Sequence, residues 1–257
     1  MNQINPDSAS FPPVLLIHGA WHGAWCWYRT LHRLREAGVA AKAVDLPGHA
    51  TDRTDRSTVT LESYADSIIA TLSQTVRPSL VVAHSMGGIV ASTVAQRRPD
   101  LVAGLVYVTA FMLPDGQAVG SFLEASGLSS EFFGMLDEPD ADGTIGVKPG
   151  RRREIFYGES PAEDVELSRM LLTRQPARPQ EQPITVTADR FGVVPKFYVQ
   201  CSLDRVITPE MQSLMLSRTG CDGVYTLGTD HSPFFSRPDE LHAILMQVGE
   251  LVSSPAK

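Results

Sequence analysis

What this chain has little of narrows its function before any motif is read. Basic residues are outnumbered, 22 Lys and Arg against 29 Asp and Glu over 257 residues, for a formal net charge of −7. No stripe of Lys and Arg offsets that deficit, which argues against nucleic acid as a partner. Nowhere do the ~18 uninterrupted apolar residues of a membrane span occur, so no membrane partner is expected. Cysteines number only three, Cys26, Cys201 and Cys221, widely separated and without metal spacing. That pattern supports neither a disulfide framework nor a zinc site, and a reducing cytoplasm is the expected location. The amino-terminal stretch MNQINPDSASFPP lacks Lys, Arg and any apolar run, so it does not read as a secretory signal.

What is present is an alternation of buried strands and amphipathic helices. A chain of this length can bury roughly three quarters of the surface it exposes when unfolded, enough for one large core. Val14–Ile17 is a short apolar run bounded by Pro12-Pro13 and His18-Gly19, the pattern of a strand covered on both faces. Residues 24–37 follow with helical spacing and stop at Gly38, and 39–44 reads as a second strand. Thr60 can cap a helix whose apolar positions Leu61, Tyr64, Ala65, Ile68, Ile69 and Leu72 form one stripe, read as packing rather than chemistry. Residues 80–83 and 101–108 supply two more strands, separated by a helix over 89–97.

From Leu113 to Ile184 the rhythm breaks: Pro, Gly, Asp and Glu are frequent, helical pieces are short, and no buried strand is legible. The rhythm then resumes, with strands over 196–201 and 224–227, a helix from Pro209 capped by Thr208, and a last helix over 238–252. The expectation is an α/β domain with a doubly wound, mostly parallel sheet, its core formed by 1–112 and 185–257, with an inserted helical cap at 113–184. Arg151-Arg152-Arg153 reads as a solvated turn.

Ala83-His84-Ser85-Met86-Gly87-Gly88 lies between a predicted strand and a predicted helix. A serine at so sharp a turn needs small neighbours, because the backbone folds back on itself. An exposed serine is a poor nucleophile until a base takes its proton, and the base needs an orienting acid. On such a sheet these arrive in the order serine, acid, histidine, each after a strand. Asp204 follows the strand 196–201 and His231 follows the strand 224–227. Asp45 comes too early, Asp230 adjoins His231 and would point away from it, and His18, His22, His49 and His84 precede or adjoin the serine. The expected catalytic set is therefore Ser85, His231 and Asp204. Two backbone N–H groups should meet a developing oxyanion, those of Met86 and of Ala20.

The segment from His18 to Trp27 (HGAWHGAWCW), the Asp45–His49 turn, the Ala83–Gly88 elbow, Asp204 and the Asp230-His231 pair together resemble the α/β-hydrolase superfamily. More narrowly they resemble the branch of plant methyl esterases, salicylate-binding esterases and hydroxynitrile lyases, with bacterial esterase relatives. The likeness runs from about Val14 to Leu251 and is weakest through the cap. The resemblance implies Ser85 as nucleophile, His231 as base, Asp204 as its orienting acid, and Ala20 and Met86 as oxyanion donors. Lyases of the branch carry Thr or Asn where Gly19 stands, and one type carries Lys where Ser232 stands. This chain has neither, which favours hydrolysis.

The expected activity is a carboxylic-ester hydrolase working through an acyl-enzyme on a small, apolar or aromatic ester, with no metal or organic cofactor. Alternatives on the same fold are a lyase, a cofactor-free dioxygenase, or a ligand receptor with a slow or vestigial triad. Trp21, Phe111, Leu113, Phe132 and Leu171 are the expected substrate contacts. A homodimer is compatible with the sequence.

Overall fold

The computed structural model describes residues 11–253. The polar stretch 1–10, where no secretory signal is expected, lies outside them. Six strands make the main sheet: β1 (Val14–Ile17), β2 (Ala41–Val44), β3 (Ser79–His84), β4 (Val102–Val108), β7 (Lys196–Cys201) and β8 (Gly223–Leu227). Between β4 and β7 lie two very short strands, β5 (Thr144–Ile145) and β6 (Gln175–Pro176), which pair antiparallel with each other. The sheet order is β2-β1-β3-β4-β7-β8 and every neighbouring pair is parallel. All positions of β1 and β3 are buried, as a parallel strand covered on both faces requires.

The helices of the core are α1 (Tyr28–Glu36), α2 (Leu61–Leu72), α3 (Gly87–Arg97), α8 (Pro209–Thr219), α9 (Pro233–Ser236) and α10 (Pro238–Ser253). Within the long connection from β4 to β7 run α4 (Val119–Ser126), α5 (Arg152–Phe156), α6 (Ala162–Leu171) and α7 (Arg178–Glu181). In the core α1 packs on α10 and α2 on α3. The Thr60 cap forms as its sequence predicts: Ser63 N–H donates to Thr60 Oγ1 at 3.1 Å, and Thr60 N–H donates back to Ser63 Oγ at 2.9 Å.

Three expectations need correction. The second strand starts at Ala41 rather than at Val39, because Val39 N–H donates to Leu34 O (2.9 Å) and closes the end of α1. Strands do occur between 113 and 184, but two residues apiece leave no alternation to read. Arg152 opens a helix instead of a solvated turn, while Arg151 pairs with Glu131 and Glu154 at 2.8 and 2.7 Å.

Strand order places the site. β1 has β2 on one side and β3 on the other, so the chain reverses its direction of advance there. The carboxyl ends of strands flanking such a reversal are the usual binding place of these sheets. The β1 loop carries Ala20 and the β3 loop carries Ser85.

Candidate active site

Ser85 follows the last residue of β3 and takes a left-handed backbone, φ 53°, immediately before α3. That conformation is strained for a residue with a side chain, and a tight strand-to-helix turn demands it. Two hydrogen bonds to the extension of β4 hold it: Ser85 N–H to Val108 O at 3.4 Å, and Phe111 N–H to Ser85 O at 3.0 Å. The close approach explains Gly88, where a Cβ would stand 2.4 Å from Phe111 O.

The three residues singled out by chain order meet in space. His231 Nε2 lies 3.1 Å from Ser85 Oγ, and His231 Nδ1 lies 2.7 Å from Asp204 Oδ2. A carboxylate oxygen only accepts, so Nδ1 carries the ring proton and Nε2 turns its lone pair to the serine hydroxyl. Asp204 is itself fixed. Its Oδ1 accepts from Val206 N–H at 2.7 Å and Ile207 N–H at 3.1 Å, and its Oδ2 also accepts from the Thr109 hydroxyl. The His231 loop is tied from below by His84, whose Nε2 donates to His231 O at 2.8 Å. Ser85 is 6% exposed and His231 1%.

Asp230, the competing acid, serves elsewhere. It accepts from Glu159 N–H (2.8 Å), Ser232 N–H (3.0 Å) and the Ser236 hydroxyl (3.0 Å), fastening the 159–160 stretch to the histidine loop. Its burial raises its pKa above the ordinary aspartate value. Asp45 closes a turn, accepting from Ala24 N–H at 2.7 Å and Thr51 Oγ1 at 2.6 Å.

Met86 precedes the first turn of α3, at the positive end of the helix dipole. Ala20 lies on the facing β1 loop. Among the described residues neither backbone N–H donates to a backbone acceptor. Gly19 permits the close approach of the two loops, for a Cβ there would lie 2.7 Å from both His84 Nδ1 and Ser85 Cβ.

Aromatic rings of the β4–β7 connection stand beside the triad histidine. Phe156 stands 5.9 Å from His231 between ring centroids, Phe132 stands 5.3 Å from Phe156, and Trp21 stands 5.3 Å from Phe132. Trp21 and Phe132 thus share one wall with Phe156. Phe111 and Leu113 are buried in the core just beyond β4, and Phe111 touches the elbow through its backbone. Leu171 is set apart: at 37% exposure it lines an outer groove of about 460 Å³ with Trp25, Met170 and Thr173. Trp25 and Trp27 pack the turn before α1 against Phe235 and Phe234, with centroids at 6.3 and 5.2 Å.

Four buried imidazoles line the same edge. Burial lowers His22 from 6.5 to about 4. It also carries His18 and His84 well below the usual imidazole range and lowers His49.

A sequence model of the Alpha/beta hydrolase family matches residues 14–244. The chain is an α/β hydrolase. Methylesterase 7 of Arabidopsis thaliana is 32% identical to this α/β hydrolase over 259 residues, which cover 95% of this chain and 98% of the relative. Putative methylesterase 14, chloroplastic, from the same plant is also 32% identical, covering 95% of this chain and 74% of the relative. Among solved structures, a methylesterase from Arabidopsis superposes with a TM-score of 0.80 at 27% identity, over 93% of this chain and 99% of the other. A pyrethroid hydrolase from Sphingobium faniae JZ-2 gives 0.81 at 26%, over 93% and 97%. These relatives agree with the methyl-esterase branch read from the motifs. The chloroplastic one lends no support to a cytoplasmic location. No helix among the described residues of this α/β hydrolase is long and apolar enough to cross a membrane.

Sequence reasoning missed several residues that shape the site. Phe156 and Tyr157 come from a region with no readable pattern. Thr109 gave no signal, being one more threonine after a strand. Tyr64 belongs to the apolar stripe of α2, yet its hydroxyl receives a hydrogen bond from Gln175 Nε2 at 3.3 Å. A tyrosine in an otherwise aliphatic stripe was the available hint, since a buried hydroxyl wants a partner.

Proposed function

We propose that the protein is a serine carboxylic-ester hydrolase that works through an acyl-enzyme. The observation that carries this reading is the unbroken relay from Ser85 Oγ to His231 Nε2 (3.1 Å) and from His231 Nδ1 to Asp204 Oδ2 (2.7 Å). Ser85 Oγ attacks the ester carbonyl carbon while His231 Nε2 takes its proton. The carbonyl oxygen becomes an oxyanion that the N–H groups of Ala20 and Met86 would receive, each worth about 3 kcal/mol in the transition state. Collapse breaks the carbon–oxygen bond to the alcohol, and the imidazolium returns the proton to that leaving group. Water, deprotonated by His231, then attacks the acyl carbon, and the imidazolium returns that proton to Ser85 Oγ as the acyl carbon–Oγ bond breaks and the acid leaves. Asp204 keeps the imidazole in the working tautomer and balances its transient charge.

The wall of Trp21, Phe132 and Phe156 favours a small apolar or aromatic group on the ester. The names of the relatives, methylesterases and a pyrethroid hydrolase, support an ester and make a methyl ester the first substrate to try. The lyase alternative loses ground to the packing at Gly19. The Thr or Asn that lyases of the branch carry there would collide with His84 and Ser85.

The test is intact-protein mass after a fluorophosphonate, with p-nitrophenyl acetate and butyrate hydrolysis in parallel. Single labelling and turnover, both lost in Ser85→Ala and His231→Ala while the fold persists, are expected. A folded chain that resists the probe, or full activity in either variant, would sink the reading.

A further inference from the structure

Trp21 directly follows the proposed oxyanion donor Ala20, and its backbone stands in the left-handed region at φ 64°. For a bulky L residue that conformation persists only where its surroundings fix it. Three contacts do so, each reaching from the connection between β4 and β7. Thr173 N–H donates to Trp21 O at 2.9 Å, and the Trp21 indole Nε1–H donates to Ile145 O at 2.9 Å. The Trp21 amide N–H donates to the side-chain Oε1 of Gln175 at 3.3 Å.

Gln175 sits on β6, is fully buried, and has both ends of its amide engaged. Its Oε1 lies 2.7 Å from His49 Nε2, and its Nε2 donates to the Tyr64 hydroxyl at 3.3 Å and to Pro176 O at 2.7 Å. The Tyr64 hydroxyl in turn lies 3.4 Å from His49 Nδ1. The partners fix how the Gln175 amide is turned. Trp21 N–H can only donate, so Oε1 must face it, and His49 Nε2 must then carry the imidazole proton. His49 Nδ1 lies 3.2 Å from Pro47 O and 3.4 Å from the Tyr64 hydroxyl, whose oxygen accepts from Gln175 Nε2. A buried polar network closed through side chains of three separate segments specifies one geometry. An apolar side chain would fill the volume without the desolvation cost of an amide, so packing alone does not account for Gln175.

We propose that Gln175 is a positioning residue for the oxyanion hole. Through the Trp21 amide it sets the direction of the neighbouring Ala20 N–H, so that docking of the β4–β7 connection and completion of the hole are one event. The proposal rests on the ester-hydrolase reading of Ser85, Ala20 and Met86. Its consequence is specific. The hydrogen bonds from Ser85 to His231 and from His231 to Asp204 run between loops of the main sheet and none passes through Gln175, whereas the hole loses a donor when the segment around β6 lifts, so the lifted form does not turn over esters.

The experiment compares the full chain with Gln175→Leu, which keeps the volume and removes both polar ends, and Gln175→Glu, which keeps an acceptor for Trp21 and His49. Tyr64→Phe removes one partner of the ring and serves where Gln175→Leu fails to fold. Three quantities are read: kcat and KM for p-nitrophenyl butyrate, affinity for a trifluoromethyl ketone whose tetrahedral adduct places an oxyanion in the hole, and amide hydrogen exchange over 18–22. Gln175→Leu is expected to lose about 10- to 100-fold in kcat and in ketone affinity with KM within about threefold, a misplaced group rather than lost substrate binding. Exchange over 18–22 should quicken, Gln175→Glu should recover most of the loss, and Tyr64→Phe should move the same readouts less. Unchanged exchange over 18–22, or faster exchange with kcat and ketone affinity intact, overturns the proposal. If the unaltered chain neither takes a fluorophosphonate nor cleaves esters, the functional reading fails separately, and exchange alone upholds or overturns the hold of Gln175 on the loop.

Discussion

Acid should destabilise this protein earlier and more steeply than its carboxylates alone would. His18, His22, His49 and His84 are buried to within 1% of complete exclusion, and the partners of the first two fix the neutral form. His18 Nδ1–H donates to Gly19 O at 2.7 Å while Nε2 accepts from Leu46 N–H at 3.0 Å. His22 Nδ1–H donates to Ala20 O at 2.8 Å while Nε2 accepts from the Tyr157 hydroxyl at 2.7 Å. Burial depresses the proton affinity of all four in the folded state, for His22 from 6.5 to about 4. The unfolded chain therefore takes up protons first as pH falls. Stability is full above about pH 6.5 and is lost on the way down toward the folded values. For His22 alone the drop amounts to roughly 3 kcal/mol by pH 4. The three most depressed imidazoles, His18, His22 and His84, together give a slope approaching roughly 4 kcal/mol per pH unit near pH 5, and His49 adds in the same direction. Domains commonly have only about 5–15 kcal/mol to lose. Asp230, whose carboxyl is raised by burial, opposes this by at most one proton. Urea midpoints followed by tryptophan fluorescence from about pH 7.5 down to about pH 5 should fall steeply, and His22→Asn should reduce the slope by about one proton. A flat profile across that range would refute the reasoning.

Asp204→Asn should cut kcat by about 10⁴-fold, since an amide can impose the wrong imidazole tautomer. Thr109→Val should act in the same direction by about tenfold, and stopped-flow acylation rates would separate the two. Gly88→Ala should lower the urea midpoint by the equivalent of roughly 1–3 kcal/mol, because the new methyl meets Phe111 O; an unchanged midpoint would mean the elbow and the 109–111 stretch separate freely. Phe156→Ala should cost about 3–5 kcal/mol and change KM for p-nitrophenyl phenylacetate more than for the acetate, as a cavity opens beside His231. Equal KM effects on both esters would remove Phe156 from the substrate wall.

The central strands were legible because they are short apolar runs, and burial on both faces leaves that mark; the edge strands β2 and β8 are partly exposed and carry it less clearly. The convergence of Ser85, Asp204 and His231 was legible for a topological reason. In a parallel sheet the carboxyl ends lie along one edge, so three loop residues in the right order are brought together by the fold itself. The connection between β4 and β7 was opaque for the opposite reason. β5 and β6 are too short to alternate, and the polar partners of Trp21 lie 124 and 154 residues away in sequence. Nothing local marks Gln175, whose amide makes sense only beside His49 and Tyr64. Tyr64 was read as packing because its spacing obeys the helical stripe, and spacing does not report where a hydroxyl points.

The ends of that connection have a consequence of their own. β4 and β7 are parallel sheet neighbours, with Leu105 opposite Lys196 and Val108 opposite Val199, so the long excursion leaves at the carboxyl edge of the sheet and returns at its amino edge one strand to the side, about 4.8 Å across. Lengthening such a loop costs conformational entropy only logarithmically, about 0.6 kcal/mol per doubling. Evolution and protein engineers alike can therefore exchange this insert as a cassette and leave the register of the sheet untouched. The toll on such exchange falls at the seams that tie the insert to the core, among them those to Trp21, to His22, to Asp230, and from Asp164 to Tyr28 and Arg29 at 2.7 and 3.0 Å. A graft that reproduces those seams should inherit the chemistry of this core with the substrate range of its donor.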